Sequence, residues 1–133
     1  AQPMIQEIAS EGTVFAIIAD TAGMSDGIRP LTDPALPLQV LMRKHGKGHR
    51  IGKHAHKALE RTATHLNEGL VVIRGGLRAR IFDAGGKDIG TYDVAPGQCL
   101  LMLGGGHELE MTADTVVFEF KNGPYRDDKI PLV

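Results

Sequence analysis

Histidine and glutamate carry the chemistry available to this chain. His54 and His56 stand two residues apart. On a β-strand, residues at i and i+2 point to the same face, so both imidazoles could reach one point in space. Glu68 follows an irregular polar stretch, residues 57–67, at the head of the apolar run Leu70-Val71-Val72-Ile73, and His107 stands behind Gly104-Gly105-Gly106. Three imidazoles and one carboxylate form a mixed N/O donor set suited to a catalytic or exchangeable first-row metal, whereas thiolates would indicate a closed structural zinc. The expectation is one divalent transition metal per chain held by His54, His56, Glu68 and His107. Such donors do not select among Zn, Mn, Fe, Co and Ni. His45 and His49, between Gly and Lys in a turn, read as ordinary surface residues.

The elements that must position these groups read as strands. Seventeen glycines, seven prolines and only 5% aromatics, with turn signals every eight to twelve residues, suit an all-β sandwich or barrel. Strands are expected at 4–8, 13–19, 38–44, 50–56, 69–74, 77–82, 89–94, 99–103, 107–111 and 115–121, about ten in all. Residues 20–37, broken by Gly23, Gly27, Pro30, Pro34 and Pro37, should form the longest irregular connection. Alternation puts His107 in phase with Leu109 and Met111, so its ring should face inward. The 69–74 strand is apolar on both parities and should be covered on both faces. Together with the buried-looking 13–19 strand, it suggests a homodimer in which a second copy supplies part of the cover.

Composition narrows the function classes. At 133 residues one domain, 1–133, is expected, large enough for a core without staples. Fifteen basic against sixteen acidic side chains give a net charge of −1, with no basic excess for gripping nucleic acid. No run reaches the roughly 20 apolar residues of a spanning helix, and the first residues lack a signal-peptide pattern, so no membrane partner and a cytoplasmic location are expected. The single cysteine, Cys99, sits in an apolar run and should pack as a small hydrophobe. No Gly-x-Ser-x-Gly elbow and no phosphate loop with its Lys-Ser/Thr pair is present.

Gly48, His54-Ala55-His56, Glu68 and Gly75 together resemble the first cupin motif, and the stretch from Pro96-Gly97 to Gly104-Gly105-Gly106-His107 resembles the second. The resemblance covers about residues 38–121 and extends to Lys121-Asn122-Gly123-Pro124-Tyr125. Within the cupin superfamily the chain is similar to small single-domain bacterial metalloproteins, some associated with polysaccharide biosynthesis, that share this order of motifs. It implies a double-stranded β-helix, a jelly-roll barrel with the metal in its mouth, often dimeric. Two features depart from the pattern. Eleven residues separate His56 from Glu68 where three or four are usual, and three glycines replace the usual Pro-x-Gly-x-x approach to His107.

The first departure raises the choice between Glu60 and Glu68 as ligand. Glu60 has the short-motif spacing from His56, but the seven-residue step from it to a turn glycine lands on Asn67, whereas from Glu68 it lands on Gly75. Parity also favours Glu68, in phase with Leu70 and Val72. Three functions follow as expectations: a metal-dependent enzyme on a small polar substrate such as a sugar or carboxylate, of isomerase/epimerase or dioxygenase type; a non-catalytic ligand-binding or sensor protein using the same mouth; or a structural barrel with incidental histidines. The acid/base candidates are Glu60, His65 and Tyr92. Arg43, Arg61, Arg78 and Arg80 could meet an anionic substrate, although a solvated strand face explains Arg78 and Arg80 equally well.

Overall fold

The computed structural model describes residues 4–132, and every regular element among them is a strand. In chain order these are β1 (Ile5–Ser10), β2 (Thr13–Asp20), β3 (Gly27–Pro30), β4 (Leu41–Lys44) and β5 (Glu68–Arg74). They are followed by β6 (Leu77–Phe82), β7 (Asp88–Val94), β8 (Gln98–Met102), β9 (Gly106–Met111) and β10 (Val116–Lys121). A five-stranded sheet runs β1-β2-β8-β5-β10, a three-stranded sheet β7-β6-β9, and β3-β4 form a separate pair. Every pairing is antiparallel. The chain is therefore all-β, as its composition indicates. Among the described residues no helix is long and apolar enough to cross a membrane.

Period-two patterning decides which way each strand faces. Leu70 and Val72 of β5 lie across from Leu100 of β8 and Val117 of β10, and partners directly opposite share a face. This face packs against Leu77, Ala79 and Ile81 of β6 and Val94 of β7, so one core lies between the five- and three-stranded sheets. Each fully buried aliphatic contributes on the order of 1.5–3 kcal/mol of transfer free energy. The other face of the five-stranded sheet presents Ile17, Ala19 and Leu101, which pack with Met24, Leu31 and Met42 in a second core. The β3-β4 pair is thus a lid over β2 and β8.

Three expectations change here. Residues 50–56 form no strand, and the longest irregular connection is 45–67, not 20–37. The physical reason is composition: apart from Ile51 and Ala55 this stretch is Gly, Lys, Arg and His, with too little apolar surface to offset the entropy of fixing it on a sheet. Every residue from 46 to 65 is exposed. Residues 20–37 instead contain β3, held to β4 by its ladder and by Leu31 N–H donating to the Val40 carbonyl at 2.9 Å. Pro30 is tolerated because it closes a short strand in a two-stranded ribbon. Finally, β2 needs no second copy for cover, because the β3-β4 pair already supplies it. The outer face of β5 is covered at Gly69 by Phe120 and Leu101 but left open farther along, where Ile73 is 41% and Phe118 of β10 70% exposed.

The glycine triplet before β9 sets the direction of that strand. Gly105 adopts φ +62°, and a Cβ there would run into the carbonyl oxygen of Phe82. Gly86, at φ +88°, has open space around it. Gly86→Ala should therefore cost only the left-handed penalty of about 1–2 kcal/mol, while Gly105→Ala should cost upwards of about 3 kcal/mol because the backbone must also move. Denaturant unfolding of both variants tests this, and equal losses would contradict it.

Candidate functional site

Glu68 opens β5 in phase with Leu70 and Val72, which carries its carboxylate onto the core face at the end of the sheet. Register places Lys121 of β10 on one side of it and Met102 of β8 on the other. His107 arrives from the opposite sheet: it pairs with Ile81 of β6, shares that residue's inward face, and stands at the open end of the core. Its Nε2 lies 3.0 Å from Glu68 Oε1, and Lys121 Nζ lies 3.6 Å from Glu68 Oε2 and 3.8 Å from Glu119 Oε2. The Glu68 side chain is only 15% exposed, against 32% for His107 and 34% for Lys121. A carboxylate so far withdrawn from water needs partners, and both of these supply donors. The hydrogen bond from His107 holds the Glu68 carboxyl below its ordinary range against the opposing effect of burial, and the electrostatic influence of His107 and the Lys121 ammonium adds to it.

Two residues beside Glu68 escape a reading of the sequence alone. Asn67 is fully buried; its Nδ2 donates to the Leu103 carbonyl at 3.0 Å, and its N–H donates to Asn122 Oδ1 at 2.8 Å. Asn122 Nδ2 in turn donates to the His65 carbonyl at 3.2 Å, so the start of β5 is clamped to the end of β10. Lys121 is the other. Its alternation with Glu119 and Val117 is visible in the sequence, but the β5-β10 register that sets it beside Glu68 is not.

The remaining candidates lie elsewhere. His54 and His56 sit on the exposed 45–67 connection, their ring centroids 5.1 Å apart and edge to face. The strand geometry expected to align them is absent. His54 Nδ1 donates to the Gly52 carbonyl at 2.7 Å, which leaves Nε2 as the bare nitrogen, the usual way a ligating imidazole is oriented. Glu60 is exposed on the same connection. His65 is exposed, and its backbone is held by Asn122. Tyr92 belongs to β7, half-buried against the core with its hydroxyl 3.5 Å from the Ile89 carbonyl. Arg78 and Arg80 form ion pairs on the solvated face of the three-stranded sheet, with Asp93 at 3.2 Å and Asp88 at 2.9 Å. Arg43 Nε donates to His45 Nε2 at 3.1 Å, and the His45 ring stacks on His49. Cys99 is half-buried, and burial pushes its thiol up to about 11, too high for a nucleophile.

The four residues expected as metal ligands are not brought together. Two donors at about 2.1 Å from one ion and 90° apart are about 3 Å from each other. Glu68 Oε1 and His107 Nε2, at 3.0 Å, have the spacing of one edge of such a sphere. Among the described residues, no group of three or more His, Cys, Asp or Glu side chains is gathered for a metal ion. Glu68 and His107 are joined at hydrogen-bond distance, and His54 and His56, on the exposed 45–67 connection, are not gathered with them. The chain matches no known family, no curated protein and no solved structure.

The Glu68 contacts imply a pH dependence. A carboxyl whose folded pKa is depressed stabilises the fold at pH above its unfolded value, near about 4.3 for glutamate, and loses that contribution as pH falls through the folded value. The groups facing it are His107 and Lys121, with Glu119 acting through Lys121. Glu68→Gln should be less stable than the unmodified chain at pH 7, with the gap closing below about pH 4. Urea titrations across that range would contradict the role of the pair if the gap were constant.

Proposed function

We propose that the chain is a jelly-roll, cupin-type metalloprotein that binds a small polar substrate, a sugar or carboxylate, at one divalent transition metal in its mouth. The observation that carries this is the Glu68 and His107 donor pair at coordination-edge spacing, brought together from two different sheets. The ligands would be Glu68 and His107 from the sheets and His54 and His56 from the 45–67 connection. Topology supports the reading. The β5-β10 pair in one sheet and the β6-β9 pair in the other run as one antiparallel ribbon, and β5-β8 with β6-β7 as a second, an order that a double-stranded β-helix would also have. Among the described residues β9 pairs only with β6, at the edge of its sheet. Residues 50–56 laid along that edge would add a strand, satisfy its backbone groups and carry His54 and His56 toward His107.

When bound, the ion supplies a Lewis acid that polarises a substrate oxygen. The chain's own residues set its position and exclude water from one side. Non-catalytic ligand binding or sensing is the alternative, favoured by one observation. Glu60 is exposed on the 45–67 connection and the Tyr92 hydroxyl lies by the Ile89 carbonyl, so of the expected acid/base set only His65, whose backbone is held by Asn122, stays near the start of β5.

Metal content after loading with zinc or manganese tests the ligand assignment. Glu68→Ala should lose most bound metal, and Glu60→Ala should retain it. Retention by the first with loss by the second would transfer the ligand role to Glu60. Amide exchange in residues 50–56 should slow at least tenfold on loading, and unchanged exchange would contradict docking on β9. The same proposal includes a homodimer through the open face of β5 and β10. Sedimentation should show a dimer that Phe118→Glu converts to monomer, and a monomer of the unmodified chain at micromolar concentration would remove it.

A further inference from the structure

The connection between β4 and β5 carries a concentration of charge that the candidate site leaves unused. From the end of β4 to Arg61 the chain holds seven cations, namely Arg43, Lys44, Lys47, Arg50, Lys53, Lys57 and Arg61, against one carboxylate, Glu60. The remainder has eight basic and fifteen acidic side chains. With histidine neutral, a molecule of net charge −1 therefore divides into a segment of +6 and a body of −7. Among the described residues none of the seven cations has an ion pair, whereas Arg78, Arg80 and Lys121 of the sheets do. Nor, among those residues, does any backbone hydrogen bond tie residues 50–64 to the sheets. We propose that residues 43–63 are a membrane-binding arm, which attaches the metal-free chain to an anionic lipid surface and folds there as an amphipathic helix over residues 51–63. The inference goes beyond the metal reading and does not depend on it.

Spacing within the arm supplies a second, independent observation. At 3.6 residues per turn, Ile51, Ala55, Ala58, Leu59, Thr62 and Ala63 fall on one arc of about 140°, and every charged side chain and histidine between them falls on the other. The strand period instead puts Lys53, Lys57 and Arg61 on one face with Ile51, Ala55 and Leu59. The two large members of the stripe, Ile51 and Leu59, are 57% and 63% exposed, so the body does not bury it. A helix this short is marginal in water without something to pack against, which accounts for the irregular course of the segment. The boundary between headgroups and acyl chains supplies that apolar phase, and attachment there needs no spanning segment.

The chemistry of the arm selects a lipid surface from among polyanions. A cation cluster of this size is drawn to anionic headgroups, while the acidic body is repelled, so the molecule meets the surface arm first. Lys53, Lys57 and Arg61 lie opposite the stripe, where their long apolar stems let the charges bend back to the headgroups, and Lys47 and Arg50 precede the helix. Nucleic acid fits less well: the arm has no aromatic side chain to stack on a base, and its apolar stripe would stay in water. An apolar groove on an acidic protein also fits less well. Such grooves take bulky anchors one turn apart, and between Ile51 and Leu59 the stripe holds only alanine.

Vesicle flotation and far-UV circular dichroism test the arm on the full chain in EDTA at low salt. Vesicles mixing phosphatidylcholine with phosphatidylglycerol should bind the chain at least tenfold more tightly than phosphatidylcholine alone, with a gain of helix on binding. The triple change Lys47→Gln, Arg50→Gln and Lys53→Gln should abolish most of that binding. Ile51→Ser with Leu59→Ser should weaken it severalfold and remove the gain of helix. The control triple is Arg74→Gln, Lys87→Gln and Lys129→Gln, which makes the same change in net charge outside the arm and should bind like the unmodified chain. Thermal unfolding verifies that every variant is folded. Absence of binding to the mixed vesicles, equal losses in the two triples, or binding without a gain of helix would overturn the proposal. Tighter binding to a DNA duplex or to polyglutamate than to vesicles of equal anionic charge would overturn it as well. Zinc uptake of the same chain is a separate readout, so the metal reading stands or falls apart from this one.

Discussion

A carboxylate drawn in from water at the end of an apolar sheet face must be neutralised, and Glu68 is the residue under that constraint. Its neighbours along the same face are Leu70 and Val72, both buried, so its side chain follows them inward. The partners that make this tolerable come from β9 and β10, one in each sheet. The pair with His107 therefore also ties the two sheets together at their open end. Removing either partner would leave a partly desolvated charge, which costs more than a surface ion pair contributes. The donors that satisfy the carboxylate are also the groups a metal ion would use or displace.

Strand periodicity was legible because each face has a definite environment. Thr13–Asp20, Leu77–Phe82 and Val116–Lys121 lie within a residue of their expected limits, and Met42 and Val40 face inward while Leu41 and Gln39 do not. Phase also carried Glu68 and His107 to the same end of the core, although they are far apart in the chain. Pairing register was not legible. Which strand lies beside β5 depends on the summed fit of whole faces, so Lys121 could not be assigned to Glu68 from spacing. The buried Asn67 is a related case: an asparagine before an apolar run reads as a turn residue, and only the Leu103 carbonyl and Asn122 explain why it is inside.

The histidine pair shows why a motif and a strand are separate inferences. His54-Ala55-His56 has the spacing of a strand-borne ligand pair, yet its neighbours are Gly52, Lys53 and Lys57, and nothing apolar holds the segment to a sheet. Between Lys44 and Arg61 the chain is also strongly basic, with only Glu60 to offset it. Mutual repulsion and solvation favour the exposed course it takes. An ion that binds both imidazoles together with Glu68 and His107 would add the missing driving force, since ligand binding to one conformation stabilises it by mass action. Folding of the segment and assembly of the site would then be one event.

X-ray absorption at the zinc edge of the loaded protein tests this account most directly, because it counts the atoms around the ion without reference to activity. Three imidazole nitrogens and a carboxylate oxygen at about 2.0–2.2 Å are the predicted shell, with two imidazoles lost when His54 and His56 are both replaced by alanine. A shell with a single imidazole, unchanged by that double replacement, would contradict the account and confine any metal to the Glu68 and His107 pair.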